Sequence, residues 1–149
     1  MKYLLDTNVF REIGKTEPHL HVGAWLARVD DKDLAISALT AREVRKGVVR
    51  LRSKKPDVAR EIEARVTQAF EAFGDRLPPV SREVAELWGE LLAESEKHVD
   101  DTGLAATARV HGLVLVTRNL EHVAGRGAPT LDPYKASPKV NRVTAQLMN

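Results

Sequence analysis

The chain has 149 residues, 43% of them hydrophobic, a formal net charge of +2 and no cysteine. That length and apolar content suit one ordinary domain with a sizeable core. The missing cysteines exclude a disulfide scaffold, thiolate zinc sites and thiol nucleophiles together, and agree with a reducing compartment. Before Asp6 there are only five residues, too few for a signal-peptide apolar region or a span, and no later segment approaches the roughly 20 apolar residues a membrane helix needs. A soluble cytoplasmic protein is expected. No linker, repeat or low-complexity tract divides the chain, so a single domain over residues 1–149 is expected as well.

Taken in chain order, the first element is a strand over Lys2–Leu5 that ends at once in Asp6-Thr7-Asn8. An acid there either caps a helix starting at Thr7 or sits at the crevice where open α/β sheets bind ligands. Val22, Trp25, Leu26 and Val29 form a helical stripe, and Asp33–Ile36 reads as a second strand. Leu39, Val44, Val48 and Leu51 mark the next helix. Val58, Ile62, Val66, Ala69, Phe70 and Phe73 mark a longer one, closed by Gly74 and the Pro78-Pro79 break. A helix from Ser81 turns Val84, Leu87, Trp88, Leu91 and Leu92 inward and a row of glutamates outward, and a fifth begins near Asp101 with Leu104, Ala105 and Ala108 on its buried face. Leu113–Thr117 is a strand, with a weaker one at Pro129–Leu131. This alternation predicts an α/β fold with a mainly parallel central sheet flanked by helices.

Three acids occupy comparable places: Asp6 ends a strand, Glu43 lies in the first turns of a helix, and Asp101 opens another on the edge of its buried face. Singly, each is also an ordinary helix N-terminal or capping acid. If they converge, their repulsion is relieved by a divalent cation, and an oxygen-only donor set without cysteine favours Mg²⁺ or Mn²⁺. Charge is uneven beside them. From Arg42 to Lys55 seven bases stand against the single acid Glu43, whereas residues 83–101 hold seven acids against Lys97. Within the basic arm Arg42, Lys46 and Arg50 recur at i, i+4 and i+8, a row that can follow a phosphate backbone or serve only as a solvated face.

As strings, LLDTNVF at the start, ISALTAREVRKGV at 36–48, DTGLAATARVHGLVLVTRN at 101–119 and LDPY at 131–134 resemble the PIN-domain ribonucleases, specifically the VapC/FitB type of toxin from toxin–antitoxin pairs. The resemblance runs in order over nearly the whole chain. It implies a PIN-like three-layer α/β/α fold and a metal-dependent endoribonuclease that cleaves RNA with metal-activated water, leaving 5′-phosphate and 3′-hydroxyl ends. It carries metal-ligand roles to Asp6, Glu43 and Asp101. The family's fourth position, usually Asp or Asn, falls on Asn119, so a second metal is less secure, and Asp100 is the obvious substitute for the missing charge. Thr7 and Asn8 are expected to support the site by hydrogen bonds or to cap a helix; Thr117 is expected to orient a water or to bond backbone. Arg118 either contacts phosphate or is solvated, and His122 is read as a surface histidine. The resemblance further implies a homodimer held inactive by a cognate VapB-type antitoxin that fills the active-site groove.

Two other classes compete. Haloacid-dehalogenase-type phosphatases also put an Asp at a strand end but want a second Asp two residues on, where this chain has Asn8; receiver domains want an acidic pair and a late Lys, and neither is present. A PIN fold that binds RNA or protein without cleaving is the stronger alternative, since Asn119 leaves room for it.

Overall fold

Three short runs, Tyr-Leu-Leu, Leu-Ala-Ile and Val-Leu-Val, are apolar on both faces, as strands inside a parallel sheet must be. In the computed structural model, which describes residues 1–142, they are β1 (Tyr3–Leu5), β2 (Leu34–Ile36) and β3 (Val114–Val116), joined by β4 (Thr130–Leu131). Residues 143–149 of the expected domain lie outside the described residues. The strand order is β2-β1-β3-β4, and every pairing is parallel, with Leu5 beside Ile36 on one side and Val116 on the other. The chain's first strand thus lies inside the sheet.

Helices cover both faces. In order they are α1 (Thr7–Glu12), α2 (Leu20–Arg28), α3 (Ala38–Arg52), α4 (Pro56–Phe73), α5 (Arg82–Glu94) and α6 (Val99–His111). Alternation along the strands separates two cores. Leu5, Ile36 and Val116 pack with Val9, Phe10, Trp25, Val44 and Phe73 from α1 to α4. Leu4, Ala35 and Leu115 pack on the other side with Leu39, Leu104, Ala105 and Ala108. Helix α5 lies behind α6, joined to it through Val84, Leu91 and Ala106. The result is the three-layer α/β/α arrangement expected from the sequence.

The small residues of α6 let it approach closely. A Cβ added at Gly103 would stand 2.7 Å from Leu39 Cδ1 and 2.8 Å from the Trp88 ring, distances no side chain tolerates without movement. Both open edges of the sheet are occupied. Beside β2, Ile36 donates to the Arg76 carbonyl (3.2 Å) and Ala38 to that of Pro78 (3.4 Å), while the Arg76 guanidinium returns to the carbonyls of Asp31, Leu34 and Ala72. Beside β4, Thr130 and Asn141 exchange backbone hydrogen bonds at 3.0 and 2.8 Å.

The elements differ from the sequence reading mainly at their ends, where the pattern is weakest. The strands are shorter, Asp31–Asp33 forms a 3-10 turn ahead of β2, and α6 begins at Val99, two positions before Asp101. Val58 was expected on the buried stripe of α4 but is 42% exposed; Ala59 is the residue that turns inward there. Among the described residues no helix is long and apolar enough to cross a membrane.

Candidate active site at the carboxyl edge of the sheet

The strands all point the same way, so the segments leaving β1 and β3 emerge at one edge, and α3 starts there after β2. Asp6 follows β1, its backbone N–H bonded to the Val116 carbonyl at 3.0 Å. Its Oδ1 accepts from the Val9 N–H at 2.9 Å, so Asp6 does cap α1. Its Oδ2 accepts from Thr117 Oγ1 at 2.6 Å, and that hydroxyl in turn accepts from the Asn119 N–H at 3.0 Å. The capping and crevice roles considered for Asp6 are therefore not alternatives. One carboxylate serves the helix and also faces the pocket.

Glu43 reaches the same place from the second turn of α3, a helix whose start is fixed by Ser37 Oγ accepting from the Leu39 N–H at 3.0 Å. Asp101 arrives from the first turn of α6. Together with Thr7, Asn8, Leu104 and Asn119, these three acids line a small polar pocket of ≈ 110 Å³. Asp6 registers the crowding: burial is the main force raising its pKa, its bonds to Thr117 and Val9 oppose that, and the charges of Asp101 and Glu43 raise it further.

Several neighbours occupy other positions than the sequence suggested. Asp100 is not among the residues lining the pocket; its carboxylate pairs with Arg42 at 2.6 Å. Of the basic row, Arg42 is thereby committed to a partner, whereas Lys46 and Arg50 are exposed. The next bases along, Arg45 and Arg52, both reach across to Glu63 of α4 at 3.0 and 2.7 Å. Thr117 bonds backbone, as one of its two expected roles has it, by accepting from the Asn119 N–H, and it also donates to the Asp6 carboxylate. Arg118 lies over the Tyr134 ring, 4.1 Å from its centroid.

His122 lies at the surface as expected, its side chain 39% exposed, and it has two partners there. Its Nδ1 lies 2.9 Å from Asp101 Oδ2, and its ring stacks on His98 with centroids 3.8 Å apart. Also missing from the sequence reading is Arg126, buried at 6% exposure, which donates to the carbonyls of Leu91 (2.6 Å), Ser95 (2.7 Å) and Lys97 (3.2 Å). It ties down the turn that leads into α6 and so helps to set the direction of Asp101. Its only sequence signal is an arginine between two glycines, which does not foretell burial.

The donor chemistry of the pocket fits a hard divalent cation. It offers carboxylate oxygens without sulfur, one carboxylate disfavoured as an anion mainly by burial and further by its like-charged neighbours, and a buried Thr7 hydroxyl with no hydrogen-bond partner among the described residues. Asp6, Glu43 and Asp101 are the residues able to hold such an ion, with Asn119 beside them.

A parallel sheet covered by helices on both faces, with acids gathered at its carboxyl edge, defines a class of α/β proteins built around an acidic pocket. The PIN-domain family description matches residues 3–124, and the chain belongs to this family. It is 34% identical over 138 residues to the toxin FitB of Neisseria gonorrhoeae, covering 88% of this chain and 97% of that protein. With the VapC ribonuclease Y4jK of Sinorhizobium fredii it shares 27% identity over 139 residues, 89% of this chain and 97% of the relative. The crystal structure of FitAcB from N. gonorrhoeae superimposes with a TM-score of 0.79 at 28% identity, covering 89% of this chain and 98% of that one.

Proposed function

We propose that this protein is the toxin of a toxin–antitoxin pair, a metal-dependent endoribonuclease built as one PIN domain over residues 1–149 and acting in the cytoplasm. The convergence of Asp6, Glu43 and Asp101 from three separate chain segments on one pocket carries the reading. The names of the relatives, a toxin and a VapC ribonuclease, support it.

In this reading Asp6, Glu43 and Asp101 hold the cation, Mg²⁺ or Mn²⁺. When bound, the cation lowers the pKa of a water and offsets charge on the phosphate oxygens. The protein's own contribution is preorganisation. Thr117 and the Val9 N–H fix both oxygens of Asp6, so its direction needs no adjustment when substrate arrives. Asn119 is tied by its backbone to the same hydroxyl and presents its amide at the pocket wall. Lys46 and Arg50 are free to meet the phosphate backbone on the outer face of α3, and Arg42 joins them when its pairing with Asp100 opens. Cleavage by water leaves 5′-phosphate and 3′-hydroxyl ends.

Besides the active-site groove, the antitoxin covers a separate apolar groove of ≈ 260 Å³ formed by Phe10 with Val44, Val48 and Leu51 of α3 and Ile62 and Val66 of α4, with Arg11, Lys15 and Arg65 among its lining residues. Those bases suit an amphipathic segment with acidic flanks. A homodimer is the expected assembly.

The test is incubation of purified, antitoxin-free protein with total bacterial RNA, in Mg²⁺ or Mn²⁺ against EDTA, wild type beside Asp6→Asn, with mapping of product ends. Discrete, metal-dependent cuts bearing 5′-phosphates and absent from the variant support the proposal. Intact RNA with folded protein sinks it in favour of a PIN fold that binds without cutting, a reading for which Asn119 leaves room and against which the three acids speak. Cyclic phosphate ends would overturn the water mechanism.

A further inference from the structure

We propose that His98, Asp101 and His122 form a second cation site, at the rim of the acid pocket, selective for a borderline transition metal such as Zn²⁺, Co²⁺ or Ni²⁺. It rests on these three side chains and not on the nuclease reading.

Each of the three offers one ligand atom, and these atoms lie within 4.8 Å of one another. Around a tetrahedral ion with metal–nitrogen bonds of about 2.0 Å, ligand atoms stand about 3.3 Å apart. The Asp101 Oδ2 to His122 Nδ1 distance is already 2.9 Å, and the two imidazoles lie face to face with centroids 3.8 Å apart and planes 10° from parallel. His98 is exposed, so its ring can tilt to bring its lone pair onto the same point.

The placement of His98 is built rather than incidental. It is the only non-glycine residue among those described with a positive φ, 53°, a conformation that costs free energy for a side chain with a Cβ. Two hydrogen bonds hold it, with Thr102 donating to the His98 carbonyl from its N–H (2.9 Å) and its hydroxyl (2.8 Å). Just upstream, the buried Arg126 guanidinium clamps the carbonyls of Ser95 and Lys97. The one backbone outlier outside glycine therefore falls on a residue whose ring is stacked over another imidazole.

Two imidazoles and one carboxylate make a mixed nitrogen–oxygen donor set, which suits zinc, cobalt and nickel and does not suit Mg²⁺, an ion that keeps oxygen ligands and water. The site opens onto a cleft of ≈ 620 Å³ that also presents Glu94, Lys97 and Glu121, leaving remaining coordination positions to water. Asp101 lines the acid pocket and touches His122, which lines the cleft. It is the shared ligand, and an ion held by the two histidines adds positive charge beside the three-acid cluster.

Co²⁺ titration of the untagged full chain, followed by visible absorption in the absence of RNA, tests this. With Mg²⁺ in excess to occupy the acid pocket, we expect saturable ligand-field bands from one further ion per chain, displaced by Zn²⁺. His98→Asn and His122→Asn should each weaken Co²⁺ binding about tenfold or more. Asparagine is suited to position 98 because it tolerates the left-handed backbone. His19→Asn, which removes the other close histidine pair with His21, should change affinity less than about twofold. Histidine ring NMR on the wild type gives an independent readout: Zn²⁺ should move the resonances of His98 and His122 and leave those of His19, His21 and His111 in place. A Co²⁺ response that survives both rim variants, a spectrum no different from hydrated cobalt, or Zn²⁺ shifts on the other histidines would overturn the proposal, leaving the His122–Asp101 contact an ordinary hydrogen bond.

Discussion

Helices α4 and α6 differ in nearly everything but regularity. In α6 every residue from Thr102 to Ala108 is buried, and the helix lies between the sheet and α5. In α4, which is longer at 18 residues, only Ala59 and Phe73 are buried. Its apolar stripe of Ile62, Val66, Ala69 and Phe70 is half covered and opens into the groove shared with α3. The first helix spends its sequence on close packing, which fixes where Asp101 stands. The second leaves a surface for something else to cover.

The contrast can be broken at both ends. The largest effect is expected from Asp101→Asn, which removes a charge from the pocket without disturbing the packed run behind it: cleavage should fall about 1,000-fold, some 4 kcal/mol in the barrier, with Tm nearly unchanged. Initial rates on a fixed RNA together with thermal unfolding check this. Next comes Gly103→Val. Its added carbons meet Leu39 and Trp88, so overpacking should cost about 3 kcal/mol and lower Tm by roughly 6 to 12 °C, with cleavage declining as α6 shifts.

A smaller effect, of opposite sign, is expected from Asp6→Asn in EDTA. The pKa of Asp6 is raised in the fold above its ordinary 3.8, so the folded state is favoured when the group is protonated and loses that advantage as pH rises through the raised value. Asn, which carries no charge, should therefore raise Tm at neutral pH, and the gain should vanish as pH falls below about 3.8. Mg²⁺ should raise Tm of the wild type more than that of the variant. The smallest change belongs to α4: Ile62→Ser, on the half-covered stripe, should cost no more than about 1 kcal/mol of stability while weakening binding of the cognate antitoxin peptide, measured by calorimetry. Equal losses of stability from Gly103→Val and Ile62→Ser would erase the distinction between the two helices.

Much of the architecture was legible because it is written locally. Fully buried parallel strands read as apolar runs, and α2, α3 and α5 carry stripes at helical spacing. Asp6, Glu43 and Asp101 could be picked out as acids at element ends, and the ordered strings of the PIN resemblance brought them together before any strand neighbour was known. The features that escaped are pairings across distance. Arg42 with Asp100 and Asp101 with His122, the latter 21 positions apart, obey no periodicity. Nor could the exposure of Val58 be read, because a helix with one stripe looks the same in sequence whether that stripe is buried by its own chain or left for a partner.

The bond between Asp6 and Thr117 spans 111 positions, and β1 sits between β2 and β3. A growing polypeptide therefore carries its first carboxylate for most of its synthesis with neither the strand that completes the sheet centre nor the hydroxyl that orients the acid. Until residues 114–117 have left the ribosome, the pocket does not exist. The fold's topology is thus a delay line: a fragment that stops short of the third strand lacks both the central pairing of β1 and the hydroxyl that orients Asp6.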